Sequence, residues 1–369
     1  MPSRETTRVA VVGYGYWGAK HVRVLCGLPE VEVTVVDQRP ERLDEARRQF
    51  PTATTAGDLA EVLDHVDAVV VATPPTTHAQ VALHALGAGR PTLVEKPLAT
   101  SVEDAQAMVA AAAERDAVLM VGHTFEYNAA VWKLKEIIAS GELGSVLHID
   151  SARLNLGIYQ SDVNVVWDLA PHDLSIISFL LDDMPSSVSA WAHHDLGHQH
   201  VDVAYLALDF ERIGTRAFVR VSWLNPNKVR SVTVVGDRKM AVYDDLSEID
   251  RIRVYDRGVQ PKAAVGLHLT GGPVGYRTGD VVSPHVAFRE PLLVQDSHFV
   301  ECVRTGRRPD TPGERGLDIV RILSALDHAR LTGHAVPIDW HDADRPLPAR
   351  LADAAPVLAG VVLNGEVAS

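Results

Sequence analysis

Two different patterns of apolar and polar positions follow one another along this chain. From residue 8 to about 121, apolar runs at 8–13, 31–36, 68–72, 91–94 and 118–121 are separated by stretches with helical spacing, such as Ala79, Leu83 and Leu86 before Gly89. Short apolar runs alternating with helices predict a parallel sheet buried on both faces. Ser101-Val-Glu-Asp104 reads as the N-cap of one of those helices. After residue 122 comes an amphipathic helix marked by Val131, Leu134, Ile137 and Ile138, then a strand near 146–155 and a helix over about 168–181. Strand patterns near 186–195, 201–210, 215–224, 229–236 and 239–244 follow, which predict a largely antiparallel sheet. Helices return near 290–304 and 313–331, after a glycine- and proline-rich stretch over 256–289 that reads as irregular.

The predicted class is therefore α/β. Residues 1–122 form a doubly wound parallel sheet, 123–345 form an α+β domain with an open, largely antiparallel sheet, and 346–369 form a tail. An apolar patch at 356–363 in that tail docks on a partner or on the domain itself. A length of 369 residues agrees with two domains, since single cores stop growing at roughly 250–300 residues.

Composition narrows the function classes. Apolar residues make up 46% of the chain, yet no run approaches the roughly 18–20 residues that span a bilayer. The first residues, Met-Pro-Ser-Arg-Glu-Thr-Thr, carry no apolar stretch, and the expected location is the cytoplasm. Two cysteines, Cys26 and Cys302, offer neither a disulfide framework nor a metal knuckle. A net charge of −13 repels nucleic acid and anionic membranes. The histidines between His193 and His200 do not read as a metal site, because neighbours on a strand point to opposite faces; His198 and His200 are at most substrate contacts. No metal is expected.

The first apolar run leads into Gly13-Tyr14-Gly15-Tyr16-Trp17-Gly18, and the second ends at Asp37, followed by Gln38 and Arg39. Such a turn lets main-chain N–H groups and a helix N-terminus approach a pyrophosphate, while the acidic residue accepts from a ribose hydroxyl. A carboxylate at that place favours NAD and repels the extra phosphate of NADP. Arg39 beside it keeps NADP open.

Two further segments carry candidate chemistry. Glu95-Lys96-Pro97 ends the fifth run, at the strand edge where doubly wound folds bind ligands, although a surface lysine on a loop fits that position equally well. Asp168 and His172 are four apart, so on a helix both project from one face, with Asp168 orienting the imidazole. The plainer alternative is that Asp168 merely caps the helix and His172 has no special task.

The set Gly13-x-Gly15-x-x-Gly18, Ala72-Thr73-Pro74-Pro-Thr-Thr-His78, Glu95-Lys96-Pro97 and Asp168-x-x-x-His172 resembles the glucose-fructose oxidoreductase/inositol dehydrogenase/MocA family, from the first strand to the helix near 331. The resemblance implies a Rossmann domain holding NAD or NADP and a second domain whose open sheet walls a sugar site. It implies that Thr73, Pro74 and His78 line the nicotinamide and that Lys96 meets the reacting hydroxyl while His172 takes its proton; Glu95 pairs either with Lys96 or with the cofactor. A homodimer or homotetramer through the outer sheet face is implied as well. The wording around Trp167–Asp173 is similar to members that oxidise nucleotide sugars, often at C3. Tyr159, Gln160 and Asn164 then offer groups for substrate hydroxyls, and Lys228 with Arg230 either offers charge for a diphosphate or, equally well, solvates a strand end. An inositol or cyclitol dehydrogenase, a keto-sugar reductase and a non-catalytic NAD-binding sensor are the alternatives.

Overall fold

The computed structural model describes residues 6–157, 159, 162–196, 200–261 and 274–340; Gln160, His198 and the 356–363 patch lie outside the described residues. Strands β1 (Thr7–Val12), β2 (Val31–Val36), β3 (Thr54–Ala56), β4 (Ala68–Val71), β5 (Thr92–Glu95) and β6 (Leu119–Gly122) form a sheet ordered β3-β2-β1-β4-β5-β6. All its pairings are parallel. Helices α1 (Tyr16–Cys26), α2 (Pro40–Gln49), α3 (His78–Gly87) and α4 (Val102–Glu114) connect the strands. The order reverses between β1 and β4, so their carboxyl ends frame the crevice in which such sheets hold ligands. Strand β3 has no counterpart among the expected runs: its Thr-Thr-Ala sequence is edge-paired and too polar to show as an apolar run.

The second sheet follows a 3-10 turn at Thr124–Tyr127 and helix α5 (Ala129–Ala139). Its strands are β7 (Val146–Leu156), β8 (Ser187–His193), β9 (Val203–Phe210), β10 (Thr215–Ser222), β11 (Leu224–Gly236), β12 (Met240–Asp244) and β13 (Ile252–Tyr255). The 256–289 stretch, expected to be irregular, holds a ribbon of β14 (Gly258–Pro261) with β15 (Val274–Arg277), and β16 (Val281–Val282). With β17 (Val336–Pro337), the large sheet is ordered β16-β13-β12-β11-β7-β10-β9-β8-β17. Only β7 with β10 pairs parallel, so the sheet is mixed and mostly antiparallel. Pro226 lies where the register of β11 against β7 slips, between Leu224 and Val229, as expected of a residue with no N–H for the ladder.

Helix α6 (Val165–Leu181) packs on one face of this sheet and is apolar almost all round. The other face leaves Trp191, Tyr205 and Phe218 exposed. Helices α7 (Pro291–Thr305) and α8 (Gly313–Thr332) then return to the first sheet. Phe299 and Val300 of α7 join the core of Val9, Val11, Leu25 and Met120. Just before α8, Val121 N–H donates to the Thr311 carbonyl at 2.8 Å and the Thr311 hydroxyl donates to the Val121 carbonyl at 2.7 Å, which closes the edge of β6. A compact unit runs to Ile338. No described helix is long and apolar enough to cross a membrane.

Candidate active site

The glycine turn after β1 is built for close approach. Gly13 has φ of +93°, and a Cβ on it would lie 2.8 Å from the Ala72 carbonyl oxygen; a Cβ on Gly18 would lie 1.7 Å from that of Gly13. A Cβ on Gly15 would meet nothing within 4 Å, so open space borders the N-terminus of α1 at the middle glycine. Free N–H groups and the helix dipole at that end favour an anion. Asp37 accepts from Tyr14 N–H at 2.8 Å and from Arg39 N–H and Nε at 2.9 and 3.0 Å. Burial alone would raise this carboxyl, but the Arg39 and Tyr14 hydrogen bonds outweigh it and hold it below the usual range. The turn and its ionised carboxylate fit a dinucleotide. Gln38 and Tyr16 stand exposed nearby, with the Lys20 ammonium over the Tyr16 ring.

A cavity of about 90 Å³ at the strand ends is lined by Trp17, Thr73, His78, Glu95, Lys96 and Asp168, among others. The His78 ring spans the carbonyls of Thr73 and Pro97 at 2.9 and 2.8 Å, tying the two loops together. Pro74 opens the short 3-10 turn ahead of α3, and the Lys96-Pro97 peptide is cis. Lys96 is buried, and its Nζ donates to the Asp168 carbonyl at 2.7 Å and to Asp168 Oδ1 at 3.2 Å. Trp223 Nε1 donates to the other carboxylate oxygen at 3.0 Å.

Helix α6 starts at Val165, three residues before the expected position, because Asn164 caps it by accepting from Val166 and Trp167 N–H. Such a cap contributes about 1 kcal/mol. Pro171 therefore stands inside the helix, where it offers no N–H to the Trp167 carbonyl and crowds it. The neighbouring Asp168 carbonyl is the one that accepts from Lys96.

Asp168 was expected to orient His172, and the structure corrects that expectation: its carboxylate is bound to Lys96 and Trp223 instead. The His172 ring packs edge-on against Phe125 at 5.2 Å, and its Nδ1 is buried with no partner among the described residues. Burial first, then the charges of Lys96, Arg153 and Arg230, push the imidazole well below 6.5. Arg153 is fixed behind it by Asp173 at 2.7 Å. His123 is fully buried, with neither ring nitrogen partnered among the described residues, and burial pushes it down to about 4.

The proposed substrate residues are dispersed. Tyr159 packs its ring against Trp223 at 4.7 Å and donates its hydroxyl to the His200 carbonyl at 3.2 Å. The Asn164 oxygen serves the helix cap, and Lys228 stands exposed in the irregular part of β11.

Sequence reasoning missed a buried triad behind Lys96. His21 Nε2 lies 3.0 Å from Glu95 Oε1, and His21 Nδ1 lies 3.0 Å from Asp296 Oδ2. Burial would lower the imidazole, but Asp296 and Glu95 overcome it and raise it to about 10. Burial raises Asp296, whereas Glu95 is held low by His21 against its own burial. Both missed residues stand in apolar stripes, His21 with Gly18, Val22 and Leu25 on α1, and Asp296 with Leu292, Gln295 and Phe299 on α7. A polar residue at such a stripe position is the signal that could have found them.

Comparison with known proteins bears on this geometry. Residues 7–123 match the family described as "Oxidoreductase family, NAD-binding Rossmann fold", and residues 131–242 match its GFO/IDH/MocA C-terminal domain. An inositol 2-dehydrogenase of Rhodococcus erythropolis is 34% identical over 195 residues, which cover 51% of this chain and 56% of that protein. A UDP-N-acetylglucosamine 3-dehydrogenase of Acidithiobacillus ferrooxidans is 31% identical over 189 residues, covering 50% of this chain and 57% of that protein. In these two alignments the chain spans about half the length of its curated relatives. The crystal structure of GenD2 from gentamicin A biosynthesis, in complex with NAD, superposes with a TM-score of 0.77 at 26% identity, covering 91% of this chain and 97% of that one.

Proposed function

As this chain belongs to the Gfo/Idh/MocA oxidoreductase family, we propose that it is an NAD-dependent dehydrogenase acting on a secondary alcohol of a sugar or nucleotide sugar. The observation that carries this reading is the cavity at the strand ends, where Lys96 and Asp168 lie with Trp17 of the glycine-turn helix. Gly13, Gly15 and Gly18 would hold the pyrophosphate, Asp37 a ribose hydroxyl, and Thr73, Pro74 and His78 the nicotinamide end. The bound cofactor supplies the acceptor for the hydride.

The chain's own residues handle the proton and the charge. His172, half-buried and kept neutral by desolvation and by nearby positive charges, takes the hydroxyl proton. The Lys96 ammonium, held by Asp168, donates to the substrate oxygen as it becomes an alkoxide. Trp223 fixes the carboxylate that fixes the lysine. Tyr159 and Asn164 would border the substrate, and Lys228 would reach a diphosphate at the exposed rim.

Asp37 supports NAD over NADP, since its carboxylate faces the turn ionised and already binds Arg39. The two free cysteines support a reducing cytoplasm. The exposed Trp191, Tyr205 and Phe218 on neighbouring strands support a homo-oligomer through the outer sheet face, which light scattering of the parent and of Trp191→Glu would test.

The deciding experiment follows nicotinamide reduction by NAD and NADP with UDP- and TDP-sugars, free hexoses and myo-inositol. Turnover of a nucleotide sugar with NAD supports the reading. Turnover of myo-inositol alone would replace it with a cyclitol dehydrogenase, the reading favoured by the Rhodococcus relative. Cofactor binding without any turnover would leave a sensor.

A further inference from the structure

Glu95 sits where two requirements meet. It lines the cavity with Lys96 and Thr73, and it forms one end of the buried chain Glu95–His21–Asp296. Each nitrogen of the His21 ring faces a carboxylate oxygen at 3.0 Å, and a neutral imidazole has only one N–H to give. Both contacts are hydrogen bonds when the ring is an imidazolium. The unit then holds two carboxylates and one cation, a net single negative charge. The side chains of His21 and Asp296 are fully buried and that of Glu95 is 6% exposed, so solvent screens this charge little.

The neighbouring charges cancel among themselves. Lys96 pairs with Asp168, Arg315 with Glu126, and Arg153 with Asp173. Burial lowers His78 and keeps it neutral, with a single N–H to give to one of the two carbonyls it faces, and burial likewise holds His123 neutral. Gln295 adds only an amide to the Asp296 end. One uncompensated negative charge is left against the cavity.

We propose that Glu95, locked by His21 and Asp296, is the residue through which this site distinguishes oxidised from reduced nicotinamide. The inference rests on the cofactor reading above. The oxidised ring carries one positive charge that the reduced ring lacks, so a fixed carboxylate beside it favours the oxidised form. Glu95 is the specificity-determining group, and His21 and Asp296 are positioning residues.

The test measures dissociation constants of NAD and NADH for the full chain by titration calorimetry, for the parent, Glu95→Gln and Asp296→Asn. For Glu95→Gln the ratio of the NAD constant to the NADH constant should rise roughly tenfold, as expected for loss of one buried charge some ångströms away. In the parent the ratio should be flat from about pH 6 to 9, because His21 keeps its proton there. In Asp296→Asn the imidazole loses one of its two carboxylates and titrates within that window, so the ratio should become pH-dependent and favour NAD more at the alkaline end. A Glu95→Gln ratio within twofold of the parent, or equal weakening of both forms, overturns the proposal. A flat Asp296→Asn profile overturns the locking role. A parent that binds neither form sinks the cofactor reading instead.

Discussion

Lys96 Nζ reaches across to Asp168 and binds it twice, at the main-chain oxygen (2.7 Å) and at the carboxylate (3.2 Å). The ammonium is thereby aimed into the cavity while its charge is balanced. Replacing Lys96 by Ala should lower kcat by about 10²–10³, the usual effect of removing a group that stabilises an oxyanion. NAD affinity, read by calorimetry, should stay within a few-fold of the parent; equal turnover in both proteins would reject the role.

The Trp223 indole supplies the second anchor of that carboxylate. Trp223→Phe removes that N–H together with part of a buried ring that packs at a tilt on Tyr159. Loss of one hydrogen bond to a charged group, about 1.5–3 kcal/mol, should lower kcat, and the smaller ring in a buried site should lower the melting temperature as well. Steady-state kinetics beside thermal melts separate the two.

For His172 the sign follows from the direction of its shift. A base works only when neutral, and this imidazole is held well below 6.5 by burial and by Lys96, Arg153 and Arg230. Alcohol oxidation should therefore persist as pH falls through 6.5 and decline only at lower pH. Arg230→Gln removes one of the charges, so the acid limb of kcat/KM should move to higher pH; a limb that stays in place would count against His172 as the base.

The glycines of the turn should respond differently to one added methyl. Gly18→Ala sets a Cβ 1.7 Å from a carbonyl oxygen, and overpacking of this kind costs about 1–3 kcal/mol. Gly15→Ala meets open space and should melt as the parent does, while losing roughly tenfold or more in NAD affinity because the methyl enters the volume of the pyrophosphate. Melting curves and NAD titrations of both variants make the comparison.

His21 predicts a stability effect. Its pKa is raised to about 10 in the fold, so the stability it contributes is complete below its unfolded value near 6.5 and is lost as pH rises through 10. Urea midpoints should fall between about pH 7 and 10 in the parent. In His21→Gln that slope should flatten.

What the sequence disclosed was the local part of the site. Gly13 to Gly18 and Glu95-Lys96-Pro97 are contiguous, and their chemistry is written in neighbouring residues. Asp168 and His172 were found as a pair, but which group each serves depended on Lys96, 72 positions away, and on Trp223, 55 positions beyond Asp168. Helix α6 was placed late because Asn164 read as a substrate ligand, when its oxygen caps the helix. Spacing along the chain carries no record of such distant partners; the acid and imidazole inside the apolar stripes of α7 and α1 were its one trace of the buried triad.

The closure of β6 by Thr311 and the seating of Phe299 in the first core bear on how the protein is made. As the chain leaves the ribosome, the parallel sheet is threaded long before α7 exists, and its core and its last edge stay unfinished until residue 312 or so has emerged. A fragment of residues 1–122 should accordingly be cut by protease under conditions in which the full chain survives, and recombining halves from two relatives should succeed only when α7 and the segment after it travel with the first half.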